Sequence, residues 1–255
     1  MASTYEVLAD VYDWLVPDEK TTPSGSAASY ADVVASAPTG GRVLDCSCGT
    51  GTLAVGLAGL GLEVVASDAS PQMVRCTEGL SAVHGHPLTA LLARWDELPQ
   101  RLPSATFDLV FCIGNSLGHA EGEDARLGAL SAMKQMLAPT GRLVLASRNW
   151  EKVRALGTRT EVSGRVIRRR GHDAVVVYSW RLAERWEDEH HLEISVAVLE
   201  PDGAIRTQTE VLSLWPFRHH ELLTQLHSLG LRVEDDSFDA QGDNYRIIAS
   251  REPAG

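Results

Sequence analysis

Residues 42–68, RVLDCSCGTGTLAVGLAGLGLEVVASD, constrain the fold more than any other stretch of the chain. They read as a strand, a glycine turn, a short helix and a second strand, which is one β-α-β unit. Val43 and Leu44 run apolar into Asp45, and Gly49 and Gly51 then let the backbone turn tightly and approach a ligand before a helix begins near Thr52. The second strand leads into Asp68, about twenty residues past the glycines, the separation at which an acid can hold a ribose diol. That spacing fits an adenosine. Glycines at a helix N-terminus can also serve packing alone, and Asp45 and Asp68 together weigh against that bland reading.

Two cofactor classes share this geometry, because Gly49-Thr50-Gly51-Thr52-Leu53-Ala54 also satisfies the dinucleotide pattern G-x-G-x-x-G/A. Asp45 separates them. A carboxylate at the end of the first strand would face a dinucleotide pyrophosphate, and like charges about 4 Å apart cost roughly 4 kcal/mol at a partly screened dielectric. S-adenosylmethionine carries an ammonium and a sulfonium and no phosphate, so the same carboxylate becomes favourable. The residues predict a methyl-donor site.

The alternation of strand and helix continues along the chain. Ser70 caps a helix that runs through Met73 to His84, with Pro71 in its first turn. Leu88 to Ala93 forms a third strand ending at Arg94-Trp95-Asp96. Phe107 to Ile113 is a continuous apolar run, typical of a strand buried on both faces, and it empties into Gly114-Asn115-Ser116-Leu117-Gly118-His119. A helix over 123–137 and a turn at Pro139-Thr140-Gly141 lead to a fifth strand, Arg142 to Ser147, with Arg148 at its ligand-facing end.

From about Thr160 the period becomes two, which predicts an antiparallel insertion with a hairpin at Pro201-Asp202-Gly203. A helix over 221–229 and two final strands then close the sheet. Before the first strand, residues 5–16 give an amphipathic helix in which Tyr5 and Tyr12 either pack on the sheet or face the cofactor. Residues 18–29, polar and small, read as a loop able to act as a lid. The expected division is a cofactor-binding core over 1–156, an insertion covering the substrate over 157–216, and a return to the core sheet over 217–255.

The series VLDCSCGTG, SDASPQM, FDLVFCIGNSLGH and GRLVLASRNW resembles the class I S-adenosylmethionine-dependent methyltransferases, and within them the glycine and glycine/sarcosine N-methyltransferases. The resemblance covers residues 42–153 and implies an α/β fold, a Rossmann-like doubly wound seven-stranded methyltransferase sheet with an antiparallel β insertion after the fifth strand. It puts Asp45, Ser47, Gly49 and Gly51 around the methionine part of the cofactor, Asp68 on the ribose, and Met73, Arg94, Trp95 and Ile113 beside the adenine, with Ala69 also at the cofactor. Asn115 and Arg148 would hold the acceptor, His119 would lie near the cofactor, and Tyr5, Tyr12 and Trp215 would line the substrate side. One departure stands out. The family's N-terminal arginine for the cofactor carboxylate is missing, since Lys20 is the only basic residue before Arg42 and the aligned stretch reads Ser24-Gly25-Ser26-Ala27.

Three functions follow as expectations: N-methylation of an amine or amino acid; a natural-product O- or C-methyltransferase using the same pocket; and a non-catalytic S-adenosylmethionine-binding protein. Net charge of −11 opposes a phosphate backbone, so a small-molecule substrate is expected and nucleic acid is not. Arg168-Arg169-Arg170 reads as a solvated strand end, and the pairs His190-His191 and His219-His220 as surface histidines. Neighbouring residues on a strand face opposite ways, and no H-E-x-x-H spacing occurs, so no metal is expected. Four cysteines without paired spacing, no long apolar run and an acidic N-terminus predict a cytoplasmic chain with no membrane partner. The oligomeric state is open, a homo-oligomer included.

Overall fold

A computed structural model describes residues 5–252. Its first element is a 3-10 segment, Leu8–Trp14, where an α-helix is expected; the tighter winding still buries Leu8, Val11 and Trp14 together. After a turn at Asp18–Lys20 come α1 (Pro23–Ala28) and α2 (Ala31–Val34). The stretch expected to be a loop is therefore largely wound. Thr22 Oγ1 accepts the Gly25 N–H as an N-cap, and Pro23 takes the first turn. The docking surface supplies the rest: a Cβ built on Gly56 would stand 2.0 Å from Pro23 O, so this helix sits backbone to backbone on the one that follows the glycine turn.

Then follow β1 (Arg42–Asp45), α3 (Thr52–Gly59), β2 (Glu63–Asp68), α4 (Pro71–His84), β3 (Thr89–Leu92), α5 (Leu98–Arg101), β4 (Phe107–Cys112), α6 (Gly122–Met136), β5 (Leu137–Arg148) and α7 (Trp150–Leu156). The insertion holds β6 (Arg159–Val162), β7 (Ile167–Arg169), β8 (His172–Arg181), β9 (His190–Leu199) and β10 (Ile205–Leu214). The chain returns through α8 (His219–Ser228), β11 (Leu231–Asp236) and β12 (Asn244–Arg251).

The core sheet is seven-stranded, in the order β11-β12-β5-β4-β1-β2-β3, and β12 runs antiparallel to both its neighbours. This is the expected α/β Rossmann-like sheet. Its central strands β1 and β4 bury Val43, Leu44, Leu109, Val110 and Phe111 on both faces, which is why they read as unbroken apolar runs. One boundary differs. The Pro139-Thr140-Gly141 turn lies inside β5, where the ladder with β4 breaks register between Phe107 and Leu109; a Cβ on Gly141 would meet Phe107 O at 2.5 Å.

The insertion is a five-stranded antiparallel sheet in the order β10-β9-β8-β6, with β7 paired to β8. Its inner face carries Ala174, Val176, Trp180, Leu192, Ile194, Val196, Leu212 and Leu214, which share one apolar cluster with Leu8, Val11, Trp14 and Trp150. Burial of that face locks the insertion and the N-terminal segment against the carboxyl end of the core sheet, around the same space. Among the described residues no helix is long and apolar enough to cross a membrane.

Candidate active site

β1 and β4 are adjacent, and the chain leaves them toward opposite edges of the sheet, so their carboxyl ends open a crevice at a topological switch point. A cavity of about 1360 Å³ occupies it. Of the residues expected at a cofactor, Asp45, Ser47, Gly49, Asp68, Ala69, Met73, Arg94, Trp95 and Ile113 line that cavity. Gly51 does not. Its φ of +85° makes the turn, but it faces α4, where a Cβ would stand 2.7 Å from Thr77 Oγ1; Thr50 and Thr52 line the cavity instead.

The glycine turn also orients the second acid. Gly49 N–H donates to Asp68 Oδ2 and Ser70 N–H to Asp68 Oδ1, both at 2.9 Å, so the carboxylate is fixed between the turn and the start of α4. Burial raises its pKa despite those bonds. Asp45 is 1% exposed, and its Oδ1 has no partner among the described residues. Burial, with the Asp68 charge adding to it, pushes the Asp45 carboxyl up to about 7. Ser47 uses its hydroxyl to accept the Ile113 N–H at 3.2 Å, tying the ends of β1 and β4. Trp95 Nε1 donates to Cys46 O at 2.8 Å, which stands the indole across the crevice, while Arg94 pairs with Asp96 at 3.1 Å on the outside.

A smaller cavity of about 110 Å³ adjoins the first and shares Tyr5, Tyr12, Asn115 and His119 with it. Arg148, Tyr178 and Trp180 enclose its inner end. The Arg148 guanidinium lies 5.1 Å from the centroid of the Trp180 ring and, among the described residues, makes no ion pair and no side-chain hydrogen bond. Burial lowers its pKa from the usual arginine value, yet an arginine stays charged at neutral pH. Asn115 sits in the left-handed region at φ +67°, which turns its amide toward the cavity. Trp215 lines the larger cavity.

His119 is committed at both ring nitrogens. Nδ1 lies 3.0 Å from Ser213 O and so carries the proton; Nε2 then accepts from Tyr5 OH, also at 3.0 Å. Burial lowers the histidine's pKa, keeping it neutral, and burial first holds the Tyr5 phenol well above its ordinary value. Neither group is a free base.

Two readings of exposed residues are corrected. Arg168 and Arg170 are exposed as expected, but Arg169 is not: it donates to Asp13 O at 3.1 Å and Asp18 Oδ1 at 2.5 Å, and the exposed Arg170 stacks 4.5 Å over Trp14 and donates to Asp10 O and Asp13. They clamp the N-terminal segment. His190 is 1% exposed, its Nδ1 accepting the Ala183 N–H at 3.0 Å, because strand parity turns it inward with Leu192. Glu210 carries a function that no local pattern announces. Its carboxylate accepts the backbone N–H groups of Tyr5, Val7 and Leu8, fastening the segment that bears Tyr5 and Tyr12.

Comparison with known proteins finds methyltransferases. A family described as methyltransferase domain matches residues 43–141. The glycine/sarcosine/dimethylglycine N-methyltransferase of Actinopolyspora halophila is 36% identical over 113 residues, 44% of this chain and 20% of that enzyme. The CcbJ methyltransferase of Streptomyces caelestis superposes with a TM-score of 0.78 at 23% identity, covering 98% of each chain. The S-adenosylmethionine-bound amino pentose methyltransferase CalS10 of Micromonospora echinaspora, from calicheamicin biosynthesis, superposes at 0.75 and 21% identity over 98% of this chain and 99% of that one. The chain matches less than half the length of these curated relatives.

Proposed function

We propose that this chain is a class I S-adenosylmethionine-dependent methyltransferase, a reading supported by the methyltransferase-domain match and the fold, and that it transfers the methyl group to the nitrogen of a small amine that carries a carboxylate. The residues present fit the cofactor. An orphaned buried carboxylate oxygen on Asp45 calls for a cationic donor, Asp68 keeps lone pairs for hydroxyls, and two acids in one crevice repel a pyrophosphate. Bound there, S-adenosylmethionine would supply an already electrophilic methyl on its sulfonium.

What remains for the protein is to orient the acceptor and to exclude water. Residues 1–156 and 217–255 serve in this reading as the cofactor half, and 157–216 as the cover over the acceptor. Arg148, charged, half-buried and without an ion pair among the described residues, carries the substrate assignment: its planar fork suits a carboxylate. Asn115 would align the nitrogen. A neutral amine brings its own lone pair, whereas a phenol or alcohol needs a base, and His119 has its free nitrogen occupied by Tyr5. That contrast favours nitrogen over oxygen. Free cysteines support a cytoplasmic setting.

One observation favours a second reading. The larger cavity extends past Tyr5 to Glu189, Glu210 and Trp215, room enough for an acceptor the size of an amino sugar. Rates on matched amine substrates, free acid against amide, decide between the two. The carboxylate reading expects the acid to be preferred by at least about tenfold, since one charge-assisted pair is worth roughly 1.5–3 kcal/mol. Equal rates would transfer the assignment to the larger, carboxylate-free acceptor.

A further inference from the structure

The acidic end of the cofactor cavity has a cationic counterpart that the site as described leaves unused. Lys20 closes the turn Asp18–Lys20 and lines the same cavity as Asp45, Ser47, Gly49 and Thr50. Its ammonium lies 5.5 Å from the centroid of the Tyr30 ring, which packs edge-on against Phe111 of β4. Burial and then the nearby Asp45 carboxylate hold the Tyr30 phenol protonated. Lys20 and Asp45 line one cavity, the lysine with its ammonium over the Tyr30 ring.

Among the described residues the Lys20 ammonium makes no ion pair and no hydrogen bond. The neighbouring acid that could neutralise it is already taken: Asp18 is held by Arg165 at 3.0 Å and by Arg169. Arg94 and Arg101, the other cations lining this cavity, lie past β3, and Arg94 is paired with Asp96. Backbone contacts fix the position of the lysine. A Cβ on Gly25 would stand 2.0 Å from Glu19 O, so the turn rests directly on α1, which rests through Gly56 on α3. The small residues Ser24-Gly25-Ser26-Ala27 bring this cation close, although the stretch contains none of its own.

We propose that Lys20 binds the carboxylate at the amino-acid end of S-adenosylmethionine while Asp45 binds its ammonium, so that the pair reads a zwitterion. The assignment rests on the cofactor reading above. It is tested by calorimetric titration of the whole chain, wild type, Lys20→Met and Lys20→Arg, with S-adenosylhomocysteine and with its decarboxylated analogue, which keeps adenosine, thioether and amine. Wild type is expected to bind the carboxylate-bearing ligand more tightly. Lys20→Met should lose about tenfold or more on that ligand and stay within about twofold on the analogue, with Lys20→Arg recovering most of the loss. Equal wild-type affinity for the two ligands, or equal loss on both in Lys20→Met, overturns the lysine's role and leaves the cofactor reading standing. Wild type that binds neither ligand overturns both.

Discussion

Arg148→Ala lowers kcat/KM for a carboxylate-bearing acceptor by about two to three orders of magnitude, on the expectation that truncating one partner of a desolvated charge pair costs about 2–5 kcal/mol. The loss falls on the acceptor because Arg148 lines the inner cavity and not the large one that Asp45 and Asp68 share. Cofactor affinity should stay within about twofold. Arg148→Lys keeps the charge but loses the planar fork and its stacking on Trp180, so it should recover only part of the activity. On the matched amide, wild type and both variants should be nearly alike. Steady-state kinetics on both substrates, with a melting curve for each variant, separate a clamp from a packing role. A variant that loses cofactor binding, or equal losses on acid and amide, would remove Arg148 from substrate recognition.

Asp45→Asn has the second large effect, and its sign depends on pH. The Asp45 carboxyl has an ordinary value of 3.8 and is pushed up to about 7 in the fold. Between those values the folded chain holds a proton that the unfolded chain has released. The ligand-free protein is therefore most stable, as far as Asp45 contributes, below about pH 4, and loses that contribution as pH rises to about 7. A difference near three units corresponds to ~4 kcal/mol. Asp68, also raised by burial, adds a slope of the same sign, so the difference between wild type and variant is the measure. A cationic ammonium restores the ionised form, so binding should tighten with pH across this window and release a proton. Asp45→Asn should raise the ligand-free melting temperature at pH 8, flatten its pH slope, abolish proton release and weaken cofactor binding by about ten- to a hundredfold. Unchanged slope and unchanged affinity would show that Asp45 faces no charge in the complex.

The part of the site legible in the sequence is the part that is local. Asp45, Gly49 and Asp68 lie in one β-α-β unit, where chain spacing and strand direction dictate position, and the apolar run of β4 announces a strand buried on both faces. Spacing does not tell which glycine faces the ligand. Gly49 lines the cavity and Gly51 packs on Thr77, a distinction made by α4 crossing behind the turn.

The N-terminal module was opaque for a different reason. Pro23-Ser24-Gly25-Ser26-Ala27-Ala28 has little helical propensity of its own and is wound by docking on α3, a tertiary effect. Its fastenings come from far along the chain: Glu210 holds the backbone of Tyr5, and Arg165 and Arg169 hold Asp18. Charged residues at a strand end look solvated until the segment they grip is placed beside them. The inward turn of His190, by contrast, was available from the parity that puts Leu192 and Ile194 inside.

Transfer of a deuterated methyl group from S-adenosylmethionine to a panel of amines, amino acids and phenols, read by mass spectrometry with fragmentation to locate the label, tests the central claim most directly. The account predicts label on the nitrogen of a small carboxylate-bearing amine, with the phenols unlabelled. Label on a phenolic oxygen would contradict the nitrogen assignment, and tight cofactor binding with no labelled acceptor across the panel would contradict catalysis itself.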